Sequence, residues 1–356
     1  MALVTDAFGG YGGIAQYNRD LLTALAAQDR VSDVLVLPRL ADQDLEPLPQ
    51  KIQQLAPTRT PLIYAAQAAK AALRFRPDII FNGHLYHGPL AAALVKLTGA
   101  KLVSQLHGTE VWRRLSRRHL MPLQLSNVVL CVSRDTCTKY SRQSASENAV
   151  VVHNTVGSDF TPGNRAAARA RFQLDDRFVI LTVARLDARN GYKGHDKVIA
   201  ALPRVVAETG RRVTYLIAGI GEDQPRLEQL AREAGLANVV RFLGKVSRAE
   251  LPDLYRAADL FAMPSTGEGF GIVFLEAMAC GTPAIGLAFG GSPDALADGA
   301  LGACVPPEAD FSAALAAAVA APRPDPVELA SKVQARFGLA AFEQRVGDVL
   351  THLEVA

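Results

Sequence analysis

Two carboxylates eight residues apart, Glu268 and Glu276, stand in the stretch Ser265–Pro283, STGEGFGIVFLEAMACGTP. Glu276 falls between Ile272-Val273-Phe274-Leu275 and Ala277-Met278-Ala279-Cys280. A segment apolar on every side predicts a buried helix, stopped by Gly281 and Pro283. A buried carboxylate needs a hydrogen-bonding partner, because desolvating it alone is costly or shifts its pKa. That partner is either an internal Arg or Lys or the hydroxyls of a ligand. The loop ahead, Gly267-Glu268-Gly269-Phe270-Gly271, lets backbone N–H groups approach a ligand and leads into the positive end of a helix dipole, where anions bind. These features suit a polyhydroxy ligand that carries phosphate. The plainer alternative is a Gly-rich turn before a core helix, with Glu276 in an ion pair.

The elements that must position this stretch alternate. A short strand over Ala2–Asp6 runs into Phe8-Gly9-Gly10-Tyr11-Gly12-Gly13, and Ile14, Tyr17, Leu21, Leu22 and Leu25 follow at helical spacing. Strand, glycine loop and helix form a phosphate-cradling unit, although a dinucleotide fingerprint would need a third glycine at Ala15. Strands are predicted at Val31–Pro38, Asp78–Asn82, Lys101–Leu106, Asn127–Val132 and Ala149–Val152, with Arg39–Thr60 a polar surface excursion. Asn154–Asn164 reads as a linker. A second series has strands at Phe178–Ala184, Val213–Gly219, Val239–Gly244, Asp259–Pro264, Ala284–Leu287 and Gly302–Val305, and helices near Pro326–Phe337 and Leu339–Leu353 close the chain. This rhythm predicts an α/β fold of two doubly wound, Rossmann-like parallel-sheet domains, 1–160 and 161–338, with ligands beyond the carboxyl ends of the strands. His107-Gly108 follows a strand directly.

At 356 residues, two domains are the default. A net charge of +3 is too small to suggest nucleic acid. Residues 1–160 hold 17 Lys+Arg against 12 Asp+Glu, while the remainder holds 21 against 23, so the first half is the basic one. Part of that excess lies in Glu110–His119, EVWRRLSRRH. On a helix, Arg113/Arg117 and Arg114/Arg118 are i,i+4 pairs beside Trp112, which suits either a peripheral contact with an anionic inner membrane face or a solvated basic face. Cys131, Cys137, Cys280 and Cys304 lack metal spacing and read as reduced, buried thiols. With no secretory segment after Met1 and no spanning apolar run, the expected location is cytoplasmic. Asp42-Gln43-Asp44 has the D-x-D pattern of a metal-held diphosphate but lies in the polar excursion, and no His/Cys/Asp cluster has zinc spacing, so no metal is expected.

The succession Glu250-Leu251, Leu254-Tyr255, Ala258-Asp259-Leu260-Phe261, Met263-Pro264-Ser265, Glu268-Gly269-Phe270-Gly271 and Leu275-Glu276-Ala277-Met278-Ala279-Cys280-Gly281 resembles the GT-B glycosyltransferases, and within them the retaining, nucleotide-sugar-dependent family four. The resemblance covers nearly the whole chain. It implies two domains facing a cleft, donor on the second and acceptor on the first, with residues 339–356 crossing back to the first. It also implies transfer of a hexose, GDP-mannose or a UDP-hexose being the donor, to a saccharide or lipid-linked acceptor. Glu276 would accept from the ribose hydroxyls. Glu268 and the backbone of Gly269, Phe270, Gly271 and Ile272 would hold sugar and diphosphate. Arg185 and Lys193 match the diphosphate cations, Gly12 and Gly13 the first-domain loop, and His107 a sugar contact; Lys245-Val246 would border the base. Asn190-Gly191-Tyr192 is an insertion that puts Arg189 in competition with Arg185 and Lys193, and Asp294 replaces a frequent Glu after Gly290-Gly291-Ser292-Pro293. An epimerase or phosphorylase on the same fold, or a non-catalytic nucleotide-sugar-binding regulator, is the alternative reading.

Overall fold

A computed structural model describes residues 1–10, 12–44 and 47–355, without the side chains of residues 188–190 and 355. The chain forms two compact units. The first takes in Met1–Thr155 and the chain from Leu339 onward; the second is Val156–Gly338. The seam falls after Thr155, five residues ahead of the expected boundary at 160. Its cause is local: Val156 donates its N–H to the Phe337 carbonyl at 3.0 Å, and Phe160 packs edge-on against Tyr255.

The first unit carries seven strands: β1 (Ala2–Val4), β2 (Val34–Pro38), β3 (Ile52–Gln54), β4 (Ile79–Asn82), β5 (Lys101–Leu106), β6 (Val128–Cys131) and β7 (Ala149–Val151). All pair in parallel in the order β3-β2-β1-β4-β5-β6-β7. β2 and β6 are buried throughout, as parallel strands covered on both faces must be. β3 lies inside the stretch expected to be a loop. Only Ile52 of its three residues is buried, so an edge strand of this kind leaves no alternating pattern to read.

The second unit carries β8 (Phe178–Val183), β9 (Val213–Ala218), β10 (Val240–Gly244), β11 (Leu260–Met263), β12 (Ala284–Leu287) and β13 (Ala303–Val305). They form an all-parallel sheet ordered β10-β9-β8-β11-β12-β13. From β8 the chain winds outward to β10, then returns to β11 and winds the other way. β8 and β11 therefore flank the point where strand order reverses, the place at which open α/β sheets hold ligands. The core beneath is built from β9, wholly buried, and from Val198, Ile199, Leu202 and Val205 on the helix His195–Thr209.

The final helix, Leu339–Val355, belongs to the first unit. Phe342, Val346, Leu350 and Leu353 recur at helical spacing and are buried. Phe342 meets Tyr17 edge-to-face at 6.2 Å, Gln28 donates to the Glu343 carbonyl at 3.1 Å, and the Lys101 ammonium donates to the Leu353 carbonyl.

The basic segment is not one helix. A single 3-10 turn covers Thr109–Val111, and a regular helix starts only at Arg117. Gln143 supplies the reason: its carboxamide accepts the Leu115 N–H at 2.7 Å and donates to the Val111 carbonyl at 3.1 Å. Both backbone groups are thereby withdrawn from a helix ladder. The Arg113/Arg117 and Arg114/Arg118 pairs expected at i,i+4 consequently do not form one helical face, although all four arginines are exposed and Trp112 is half-buried.

Truncating Phe342 to Ala should destabilise the first unit by about 3–5 kcal/mol, the usual cost of deleting a buried phenylalanine. Trp112, the sole tryptophan, reports that unit; its fluorescence midpoint in denaturant should fall, and an unchanged midpoint would separate the last helix from the unit's core.

Candidate functional site

The loops leaving β8, β11 and β12 are fastened to one another by backbone. Thr266, after β11, donates its N–H to the Tyr192 carbonyl of the β8 loop at 2.8 Å. Gly291, after β12, donates to the Glu268 carbonyl at 2.8 Å. Glycine is required at two of these crossings: Gly194 has φ +80° and a Cβ there would strike the Pro264 carbonyl, while a Cβ on Gly291 would overlap the Gly269 carbonyl. Gly290-Gly291 thus acts as a clamp on the Glu268 loop, a role that its sequence did not disclose.

Lys193 and Glu268, expected as separate ligand contacts, meet in an ion pair at 2.7 Å. Their side chains are only 18% and 13% exposed, so water screens the pair poorly. The Lys193 ammonium also lies 5.3 Å from the Tyr192 ring centre. Burial pushes the Tyr192 hydroxyl above its ordinary pKa; the charges of Lys193 and Arg185 oppose that rise, and those of Glu268 and Asp187 add to it. Arg185, itself exposed, therefore stands in the same electrostatic neighbourhood as the pair. The Arg189 side chain, its competitor, lies outside the described residues.

Glu276 sits in the helix Ile272–Ala279, which is buried from Phe274 onward. Its partner is neither Arg nor Lys: the Tyr255 hydroxyl donates to one carboxylate oxygen at 2.8 Å. Tyr255 comes from the neighbouring helix Leu251–Ala257 and is held edge-on by Phe160 at 5.9 Å and Phe261 at 5.8 Å. Burial raises the Glu276 pKa; the Tyr255 hydrogen bond and the charge of Arg248 pull it down, and Asp159 pushes it up. Pairing across 21 residues leaves no local sequence signal that would give Tyr255 this role. The helix begins at Gly271 in the left-handed region, φ +99°, with no side chain capping its amino end. Phe270 is buried against Phe337 at 5.9 Å, and Gly269, Gly271 and Ile272 complete the turn between Glu268 and Glu276.

Lys245 and Val246 follow β10 at the same, carboxyl end of this sheet, two strands from β8; Lys245 is exposed and Val246 half-buried. Gly12, Gly13 and His107 belong to the other unit. Gly12 has φ +97° and opens the helix Gly13–Ala26, with open space around the Cβ position of each glycine. His107 follows β5 directly; its Nε2 lies 3.0 Å from the Gly83 carbonyl oxygen, its backbone N–H donates to both Glu110 carboxylate oxygens at 3.2 Å, and its ring meets Tyr17 edge-on at 5.2 Å. Asp42 pairs with Arg59 at 2.6 Å, both mostly exposed. Among the described residues, no group of three or more His, Cys, Asp or Glu is arranged to hold a metal ion, and no helix is long and apolar enough to cross a membrane.

Two all-parallel sheets of this topology, the second with its loops gathered at a strand-order reversal, define a doubly wound, Rossmann-like α/β architecture. Over residues 164–336 the sequence matches the profile of the glycosyl transferases group 1, and over residues 11–160 that of glycosyltransferase family 4. The chain belongs to this glycosyltransferase family. Solved structures with the same fold include sucrose-phosphate synthase from Thermosynechococcus elongatus, at TM-score 0.77 and 24% identity over 99% of both chains. Anabaena HepE in complex with UDP gives TM-score 0.75 and 21% identity over 98% of this chain and 99% of that one. Among curated proteins, the D-inositol 3-phosphate glycosyltransferase of Mycolicibacterium smegmatis is 46% identical over 162 residues, 44% of this chain and 36% of the relative. The GDP-mannose-dependent alpha-(1-6)-phosphatidylinositol monomannoside mannosyltransferase of the same organism is 35% identical over 238 residues, 61% of this chain and 59% of the relative. The chain thus spans less than two thirds of the length of either.

Because burial raises the Glu276 pKa, this group's contribution to stability is complete below its ordinary value of 4.5 and is lost as pH rises through the folded value. Glu276→Gln should accordingly unfold at a higher denaturant concentration than the unmodified protein at pH 7, with the gap closing below pH 4.5. A gap that is constant with pH would mean that Glu276 is not desolvated.

Proposed function

We propose that this protein is a retaining hexosyltransferase that uses a nucleotide-sugar donor, bound at the carboxyl end of its second sheet. The observation that carries the reading is the pairing of Lys193 with Glu268 at the reversal between β8 and β11, eight residues ahead of the buried Glu276. In this reading the donor's ribose hydroxyls donate to Glu276, whose second oxygen complements the one held by Tyr255. The diphosphate lies against Arg185 and Lys193 and against the uncapped amino end of the helix Ile272–Ala279. On the first unit, Gly12 and Gly13 are the residues that the family resemblance assigns to phosphate, and His107 the one it assigns to sugar. Lys245 and Val246 border the base. The diphosphate competes with Glu268 for Lys193, which frees the carboxylate to accept from sugar hydroxyls.

In the transfer step, the bond from the anomeric carbon to the phosphate oxygen breaks and a bond to the acceptor oxygen forms on the same face. The acceptor's proton passes to the departing phosphate. That phosphate gains charge as the bond breaks, so Arg185 and Lys193 stabilise the transition state more than the ground state. Two fixed cations do the work that a divalent metal does elsewhere, and transfer should survive excess EDTA.

Donor and acceptor classes follow the relatives. One relative is named as GDP-mannose-dependent, UDP and UDP-glucose are bound in structural neighbours, and the relatives' names carry D-inositol 3-phosphate and phosphatidylinositol monomannoside. GDP-mannose and the UDP-hexoses are therefore the donors to test, with phosphorylated or lipid-linked cyclitols and saccharides as acceptors. A lipid-linked acceptor would bring the protein to the inner membrane face, where Trp112, Arg113, Arg114, Arg117 and Arg118 offer an aromatic and four exposed cations.

Lys193→Ala should lower kcat by about a hundredfold to a thousandfold, the usual loss on removing one electrostatic transition-state contact, while weakening intact-donor binding far less. If Arg189→Ala is instead the damaging change and Lys193→Ala is mild, the insertion at Asn190-Gly191-Tyr192 shifts the assignment to Arg189. Product analysis completes the test: an α-linked donor should give an α-linked product, and an inverted product would exclude the front-face mechanism.

A further inference from the structure

A second charged concavity lies at the amino ends of the second sheet. Its volume is about 480 Å³, and its walls include Arg165, Arg169, Arg211, Arg212, Phe178 and Asp259. Phe178 is the first residue of β8, whereas Arg185 and Lys193 follow its last; six residues of strand put roughly 20 Å between the two places.

Its charges do not balance. Asp259 is one carboxylate shared by three guanidinium groups: Arg165 pairs with one oxygen, Arg169 with the other at 3.1 Å, and Arg323 approaches at 3.7 Å. Asp259 also accepts the Val179 N–H at 2.8 Å. Arg169 and Arg323 are only 13% and 27% exposed. Arg323 loses part of its proton affinity first to burial and then to the charge of Arg165. Clustered cations with incomplete compensation are costly out of water. Arg169 and Arg323 spend donors on backbone carbonyls, of Ala257 and of Ala258 and Gly281, which fixes them in place. Arg165 keeps a buried Nε without a partner. At the rim, Arg212 pairs with Asp176 and Arg177 with Asp175, but Arg211 has no carboxylate partner among the described residues and lies over the Phe178 ring at 5.3 Å. Five arginines, at 165, 169, 177, 211 and 212, thus line the concavity against two aspartates, 176 and 259.

We infer that this concavity is an anion site for a small soluble molecule bearing two or more phosphates, separate from the proposed donor site. Planar guanidinium groups recognise phosphate by paired hydrogen bonds, and the three cations in excess match the charge of a diphosphate. A concavity of about 480 Å³ falls within the size range of small-molecule sites.

Pyrophosphate is the probe, titrated by calorimetry at fixed ionic strength with amide NMR in parallel. The expected result is binding that persists in Lys193→Ala, weakens at least tenfold in Arg165→Gln/Arg211→Gln, and moves the Phe178 and Gly210 amide signals. Arg211→Gln alone removes no ion pair, so it tests the rim if the double variant unfolds, and it should still weaken binding severalfold. Unmoved Phe178 and Gly210 signals at millimolar pyrophosphate, or binding abolished by Lys193→Ala alone, would overturn the inference. A parallel arm uses phosphatidylglycerol vesicles: vesicle binding lost in Arg211→Gln, with no response to pyrophosphate, would replace the soluble ligand by a lipid headgroup.

Discussion

Two backbone hydrogen bonds, Thr266 to Tyr192 and Gly291 to Glu268, set the geometry on which the function proposed for the second unit depends. They join three loops that a parallel sheet already brings to one edge. Once joined, the loops hold Lys193 within 2.7 Å of Glu268 and aim the helix Ile272–Ala279 away from the same point. The glycines at 194 and 291 follow from this packing, since any Cβ would push a loop off its neighbour's carbonyl. Under the proposed function, loops fastened to one another in this way limit how far the charges at the donor must reorganise during reaction.

Glu276 shows the cost of such a site. A carboxylate in an otherwise apolar helix is held by one neutral hydroxyl from Tyr255, with its pKa raised by burial. Replacing it by an amide should stabilise the fold while removing a charged acceptor. Residues that destabilise the free protein and have a ligand-shaped use are the ones at which stability and function oppose each other.

The second sheet was legible in the sequence because β9, β11 and β12 are buried, largely apolar runs separated by helices of regular spacing, and because Gly-Glu-Gly-Phe-Gly announces a loop. The buried helix around Glu276 was legible for the same reason. What escaped were pairings between distant residues. Tyr255 finds Glu276 across a helix-helix contact, Gln143 breaks up the basic segment from 28 residues away, and β3 is an edge strand with one buried residue. The Lys193–Glu268 pair joins two residues whose expected partner is a ligand and not each other. Each of these depends on tertiary packing, which overrides local periodicity.

Everything proposed for the donor site turns on Glu276 binding the ribose of a nucleotide-sugar. The most direct test is a double-mutant cycle on binding. It takes the nucleoside diphosphate that raises the melting temperature most, compares it with its 2′- and 3′-deoxy analogues, and measures each by calorimetry against the unmodified protein and Glu276→Gln. The account predicts strong coupling: losing a ribose hydroxyl should weaken binding to the unmodified protein by about tenfold or more, in line with a charged hydrogen bond worth ~1.5–3 kcal/mol, and should matter little once Glu276 is Gln. Equal losses in both proteins would contradict it and leave Glu276 as a buried acid held only by Tyr255.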